Sequence, residues 1–237
     1  MHSQVNKTAE RILDWLLPPS CTLCGGRGEF GLPLCTGCWQ DLPRLKHACR
    51  RCAEPLPQDG LCGRCLRRAP PQDLAHGAFL YADPVDRLVQ RLKFGGRLGT
   101  ARLAGALLAA VARSAQWERP QLLIPVPLHR ARLRQRGYDQ AQAIAAECGR
   151  RLSIPMDSRA CQRKSATAPQ PGLSRAERRR NLRGAFVVAN PPEARHVAVI
   201  DDVMTTGATA GELAAALKRG GVERVDVWAL CRAGPDR

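Results

Sequence analysis

Aromatic residues make up only 4% of this 237-residue chain. Platforms on which bases stack are therefore scarce, and any contact with a nucleic acid has to run mainly through its phosphates. Long apolar runs are missing too: none approaches the roughly 20 residues that a membrane-spanning helix needs. The first twenty residues lack the continuous apolar core and cleavage site of a signal peptide. The expectation is a cytoplasmic protein with no transmembrane segment. The GxxxxGK[ST] pattern of a Walker phosphate loop does not occur, which sets that nucleotide-binding class aside. Acidic residues are the minority, 21 against 37 Lys and Arg, leaving a net charge of +16 and a pI near 10.2. That balance favours polyanions as partners.

Cysteine, by contrast, is plentiful. Of eleven cysteines, eight fall in four CxxC pairs, Cys21/Cys24, Cys35/Cys38, Cys49/Cys52 and Cys62/Cys65, separated by ten, ten and nine residues. In a reducing compartment disulfides explain this poorly and metal binding explains it well. Each pair brings two thiolates to one ion through a tight knuckle, helped by Gly25 and Gly63, and two pairs complete a closed tetrahedral site. Two structural zinc ions are expected. Sequential pairing joins Cys21, Cys24, Cys35 and Cys38 in one site and Cys49, Cys52, Cys62 and Cys65 in the other; the spacing alone leaves a crossed arrangement open. The segment has few large apolar residues, so metal has to supply about 10 kcal/mol of folding energy per site. No ligand position is left open for catalysis, and a redox role for one pair is the weaker alternative. Cys148, Cys161 and Cys231 lie outside the pattern and read as buried or neutral thiols.

Along the chain, residues 5–17 set Val5, Ala9, Ile12, Leu13, Leu16 and Leu17 on an amphipathic packing helix ended by Pro18-Pro19. A polar, proline-containing linker at 67–73 divides the chain into a helix plus double zinc ribbon over 1–70 and an α/β domain over 71–237. In the second part the patterns give a strand at 76–82, helices at 85–94 and 100–115, and a buried strand at 122–126. Next comes a loop carrying Arg130, Arg132, Arg134 and Arg136, which suits a highly charged anion such as pyrophosphate; a solvated face is the alternative for any one of them. A helix at 139–152 leads to a basic flap over 159–183, where Ser174 and Glu177 form a capping box ahead of Arg178, Arg179 and Arg180. Strands at 184–188 and 222–230 complete a βαβ order and a mostly parallel sheet.

The stretch 196–210, HVAVIDDVMTTGATA, organises the rest. Its apolar β-branched run reads as a strand buried on both faces. Asp201 and Asp202 follow, then Thr205, Thr206, Gly207, Ala208 and Thr209, then a helix closed by Gly220-Gly221. Backbone N–H groups and hydroxyls converging at a helix start suit a phosphate monoester. Two carboxylates beside them are placed to accept hydrogen bonds from vicinal hydroxyls, as on a ribose. A 5-phosphoribosyl group carries both features, and the stretch resembles the signature of type I phosphoribosyltransferases, which bind phosphoribosyl pyrophosphate.

The chain as a whole resembles the ComF family, also called ComFC or GntX-like, over nearly its full length. The resemblance rests on the cysteine pairs after Leu16-Leu17-Pro18-Pro19-Ser20-Cys21, on Leu92-Lys93-Phe94-Gly95-Gly96, on Pro125-Val126-Pro127-Leu128, and on Arg136-Gly137-Tyr138-Asp139-Gln140. Thr167 to Gln170, the Arg178-x2-Asn181-x2-Gly184-Ala185-Phe186 run and the loop at Asp201 match as well. Two departures are visible: Tyr138-Asp139 where the family has Phe-Asn, and Pro169 before Gln170. The aspartate adds a negative charge near the pyrophosphate loop.

The resemblance implies a type I phosphoribosyltransferase fold with an N-terminal double zinc ribbon, and a role in handling incoming single-stranded DNA in natural transformation. It assigns the ribose hydroxyls to Asp201 and Asp202 and the 5′-phosphate to the loop 205–209. In an active enzyme pyrophosphate is displaced with magnesium assisting, Arg130 and Arg136 face the leaving group, and a flap containing Arg163, Thr167 and Gln170 closes over the site. Two functions stay open. One is a binding protein that senses phosphoribosyl pyrophosphate while zinc ribbons and arginines, Arg178 and Arg180 among them, hold single-stranded DNA or a competence helicase. The other is an active phosphoribosyltransferase of nucleobase or nucleotide metabolism without direct DNA binding.

Overall fold

The computed structural model describes residues 19–29, 31–94, 98–164 and 180–234. The helix expected at 5–17, Thr167, Gln170, the capping box at Ser174 and Glu177, and Arg178 lie outside the described residues.

Two short helices, α1 (Thr36–Gln40) and α2 (Gly63–Arg67), belong to the cysteine-rich segment. Each starts directly after a cysteine of a CxxC pair: Cys35 is the N-cap of α1, its sulfur accepting from the Cys38 N–H, and Cys62 is the N-cap of α2. The remainder runs β1 (Leu74–Leu80), α3 (Val85–Phe94), α4 (Leu98–Ser114), β2 (Leu122–Pro125), α5 (Arg130–Arg136), α6 (Gln140–Leu152), β3 (Cys161–Arg163), β4 (Phe186–Val188), β5 (His196–Met204), α7 (Ala208–Arg219) and β6 (Arg224–Arg232). The strands and helices expected between residues 76 and 152 and between 184 and 230 are present among these, with ends shifted by a few residues. The arginine-rich loop contains a short helix, α5, and the base of the flap is an antiparallel pair, β3 with β4, of which the sequence patterns gave only the second.

The main sheet has the order β1-β6-β5-β2 with every pair parallel. Alternation along β5 shows why its apolar run has no polar face. Val197 and Val199 pack with α7 residues such as Leu213 and Leu217, whereas Ala198 and Ile200 pack with α4 and α6 on the opposite side. A strand of period two covered by helices on both faces has to be apolar throughout. The helices α4 and α6 meet closely at Gly105, where an added Cβ would lie 2.6 Å from the Ile144 carbonyl oxygen.

Both outer strands are covered. Along β1, the Leu45 N–H donates to the Ala78 carbonyl, Leu80 to Pro43 and Ala75 to Arg50, so the cysteine-rich segment blocks that edge. Along β2, Leu123 donates to Pro155 and Asp157 donates to Leu123. Ribbon and sheet share cores as well: Cys21, Leu34 and Leu42 sit in the cluster of Phe79 and Leu88, and Ala53 sits with Val227 and Ala229.

Candidate functional site

The acid pair lies in the second half of β5, toward the carboxyl edge of the parallel sheet where such folds bind ligands. After Met204 the chain turns through the loop 205–207 into α7. Gly207 is the N-cap of α7 with φ of +75°, a left-handed conformation that glycine adopts without a Cβ penalty. Thr206 Oγ1 accepts from the Ala208 N–H at 3.3 Å. Asp201 accepts from the Asp202 N–H at 2.9 Å, and Asp202 from the Val203 N–H at 2.7 Å.

A cavity of ≈ 190 Å³ holds Asp201, Asp202 and Thr209 on one wall and Lys93, Arg132, Arg136 and Arg163 around them. Of the two arginines singled out from sequence for pyrophosphate, Arg136 lines this cavity, with Nη1 donating to Gln140 Oε1 at 3.0 Å. Arg130 is exposed at the start of α5 and does not line it. Arg163, assigned to the flap from sequence, stands in β3 with its guanidinium 5.6 Å from the Phe186 ring centre. Arg180 is exposed at the far end of the segment between β3 and β4.

Arg132, one of the loop arginines that the sequence offered for pyrophosphate, lines the cavity too, and Lys93 is a lining side chain that site assignment from sequence missed. Lys93 Nζ lies 3.7 Å from Asp202 Oδ2. Its signal was the LKFGG run that ends the apolar face of α3. Burial, and then the neighbouring Asp202 carboxylate, push Asp201 well above the usual carboxylate range, against the pull of Lys93. Burial followed by Arg136 lowers Arg132, and burial followed by Arg132 lowers Arg163. Cations crowded by one another in this way are poised for an anionic ligand.

Asp139, the departure from the family asparagine, is largely absorbed by the backbone. Its two carboxylate oxygens accept from the Gln142 N–H and the Leu128 N–H, each at 3.0 Å, capping α6 and tying it to the strand end of β2. Burial raises its pKa. His129 is a cap too, its Nδ1 accepting from the Ala131 N–H at 3.2 Å.

The cysteines form two groups, and the pairing is sequential: Cys21, Cys24, Cys35 and Cys38 in one, Cys49, Cys52, Cys62 and Cys65 in the other. Within each group all ligand sulfurs lie within 4.8 Å of one another. Zinc–sulfur bonds of about 2.3 Å in a tetrahedron put sulfurs about 3.8 Å apart. The Cys24–Cys35 and Cys52–Cys62 sulfur separations are both 3.7 Å, so the groups fit that ion. The hard-oxygen pair Asp201/Asp202 fits magnesium in a different sense, since this ion is held by one or two carboxylates together with substrate phosphate oxygens.

A second cleft, of ≈ 240 Å³, lies between the second cysteine group and the phosphate loop. Cys65, Arg64, Arg68 and Pro71 form one side and Thr206, Gly207, Ala208 and Glu212 the other, with Arg183 at the rim. Arg64 is engaged by Glu54 at 2.9 Å. Below this cleft Arg232, at the end of β6, is 1% exposed. It donates to the carbonyls of Cys52 and Met204, at 3.1 and 3.0 Å, and to those of Thr205 and Ala233. Nothing in the sequence pattern separates this arginine from the surface ones.

Fold and site together define a class: a parallel α/β domain with helices on both faces of its sheet, bearing an N-terminal double zinc ribbon. Residues 12–66 match the model of the double zinc ribbon domain. The chain is 36% identical over 224 residues to the DNA utilization protein YhgH of Escherichia coli O157:H7, covering 91% of this chain and 98% of the relative. It is 36% identical over 208 residues to competence protein F of Haemophilus influenzae, covering 84% and 90%. The chain therefore belongs to the ComF family. A likeness to the B. subtilis glutamine phosphoribosylpyrophosphate amidotransferase, at TM-score 0.35 and 20% identity over 54% of this chain and 25% of that one, adds no weight to this assignment. Among the described residues no helix is long and apolar enough to cross a membrane.

Proposed function

We propose that this ComF-family protein binds phosphoribosyl pyrophosphate with magnesium at Asp201 and Asp202 and handles single-stranded DNA during DNA uptake. The supporting observation is the cavity in which the acid pair and the start of α7 face four cationic side chains. In this reading the carboxylates accept from the ribose 2- and 3-hydroxyls, and the loop 205–209 donates backbone N–H groups to the 5-phosphate. Lys93, Arg132, Arg136 and Arg163 offset the charge of the pyrophosphate. Magnesium would be held at Asp201 and Asp202 and would supply compact positive charge against the pyrophosphate. The names of the relatives and the +16 net charge support the DNA part. The second cleft, with Arg68 and Arg183 open to it, offers the strand a path beside the loop.

Titration calorimetry of phosphoribosyl pyrophosphate with magnesium into the zinc-loaded protein, beside Asp201→Asn/Asp202→Asn, tests the site. The expected result is binding that the double variant loses. Pyrophosphate assayed in the same samples separates the two functions: release on adding an acceptor means a transferase, binding without release means a sensor. Absence of binding by the unaltered protein refutes the site. For DNA, the log-log salt slope of an oligonucleotide's affinity should flatten by about 1.4 in Arg68→Ala/Arg183→Ala, at about 0.7 per phosphate contact. The same comparison with Arg178→Ala/Arg180→Ala assays the flap, and an unchanged slope removes the altered pair from the DNA surface.

A further inference from the structure

The loop that would hold the phosphate is not fixed by its own strand and helix alone. Arg232 pairs in register with Met204, the last residue of β5, so its side chain starts beside the point where the loop leaves the sheet. Its guanidinium is buried, and its donors are directed at carbonyls from three places: Met204 and Thr205 at the loop, Ala233 just after its own strand, and Cys52 in the second cysteine group. Arg232 Nη2 also lies 3.7 Å from Glu54 Oε2. Glu54 pairs with Arg64, and Arg64 Nη2 in turn approaches Cys52 Sγ at 3.3 Å. One carboxylate thus stands between the arginine that touches a metal-ligating sulfur and the arginine that touches the loop.

A planar fork with five donors reaches several carbonyls at once, which an ammonium on a flexible stem does not. A buried charge of this kind depends on keeping its partners, because losing them leaves it desolvated and underpaired. We infer that Arg232 is a positioning residue that couples the second cysteine group to the phosphate loop, so that loss of metal from this group loosens residues 203–210 while loss from the first group does not. When the knuckle opens, the Cys52 carbonyl and Glu54 move away together, and Arg232 loses both while keeping the carbonyls of the loop and of Ala233. The inference rests on the phosphoribosyl reading only for what the loop holds; the coupling itself concerns backbone order.

Amide hydrogen exchange of the full-length, zinc-loaded chain over 203–210 tests it, with zinc content measured alongside. The variants are Cys62→Ser/Cys65→Ser, Cys24→Ser/Cys38→Ser and Arg232→Lys. We expect loop exchange to rise about tenfold or more with the second pair and less than about twofold with the first. Arg232→Lys should loosen the loop while both groups keep their zinc, a result that general destabilisation of the ribbon does not produce. If Arg232→Lys fails to fold, Glu54→Gln takes its place, with an expected rise of about threefold. Equal loop exchange in the two cysteine variants, or a protected loop in the zinc-loaded arginine variant, overturns the inference. Phosphoribosyl pyrophosphate titrated into the same samples keeps the two readings apart. A coupled loop in a protein that binds no ligand refutes the ligand alone, and ligand binding with an uncoupled loop refutes the coupling alone.

Discussion

In the first ribbon Cys24 is exposed and Cys35 and Cys38 are half-buried; in the second all four cysteines are buried. The first carries its own surface pair, the Glu29 carboxylate accepting from the Thr36 hydroxyl at 2.6 Å and from the Thr36 N–H, and is touched from the α/β domain by Arg91 of α3, which donates to the Thr22 carbonyl. The second reaches outward through Arg64, Glu54 and Arg51, and Gln72 Nε2 donates back to the Arg51 carbonyl at 2.9 Å. Two modules with the same CxxC spacing therefore do different jobs. The first closes over apolar side chains of α3 and α4, and the second joins the sheet edge to the loop. Spacing sets the chemistry of a metal knuckle, while its burial and its outward hydrogen bonds set what depends on it.

The largest expected difference is in stability. Cys49→Ser should lower the melting temperature by about 10–15 °C and Cys24→Ser by about half as much, since an exposed ligand is partly replaced by water. Equal shifts in differential scanning calorimetry would erase the distinction. A smaller effect is expected at the carboxylates. Glu54→Ala strands Arg64 and the buried Arg232 and should cost about 3 kcal/mol in chemical denaturation. Glu29→Ala removes a pair at the surface, where Thr36 holds the carboxyl below its usual range through side-chain and backbone hydrogen bonds. It should shift melting by no more than about 2 °C, and that small contribution is the part that fades as pH falls through the lowered value.

Much of this was legible in the sequence, and for identifiable reasons. The CxxC spacing specified the ligands because a metal site is local chemistry, and only the pairing of the groups needed the fold. The run Val197 to Ile200 announced a doubly covered strand because the absence of a polar face is itself a pattern. The stretch from Asp201 to Thr209 is contiguous, so its loop and helix start could be read together. Lys93 and Arg232 are different: each arrives from a separate element, across a distance that no periodicity encodes. The β3 strand was hidden because three residues make no pattern, and α5 because four arginines in seven residues read as a charged loop.

The loop has an acidic anchor as well as a ribbon anchor, and pH separates them with the smallest of these effects. Asp201 is held above the usual carboxylate range, first by burial and then by Asp202. The folded state therefore binds its proton more tightly than the unfolded chain does. Its contribution to stability is complete below the unfolded value and is lost as pH rises through the folded one. Asp201→Asn removes that loss, so its melting temperature should exceed that of the unaltered protein by a margin that widens from acid to neutral pH. Ligand affinity should run the other way, since an ionised pair accepts hydroxyl hydrogen bonds and holds magnesium better than a protonated one. Parallel pH profiles for Asp201→Asn and the unaltered protein would show that burial does not hold a proton on Asp201, and the loop would then have the ribbon as its main anchor.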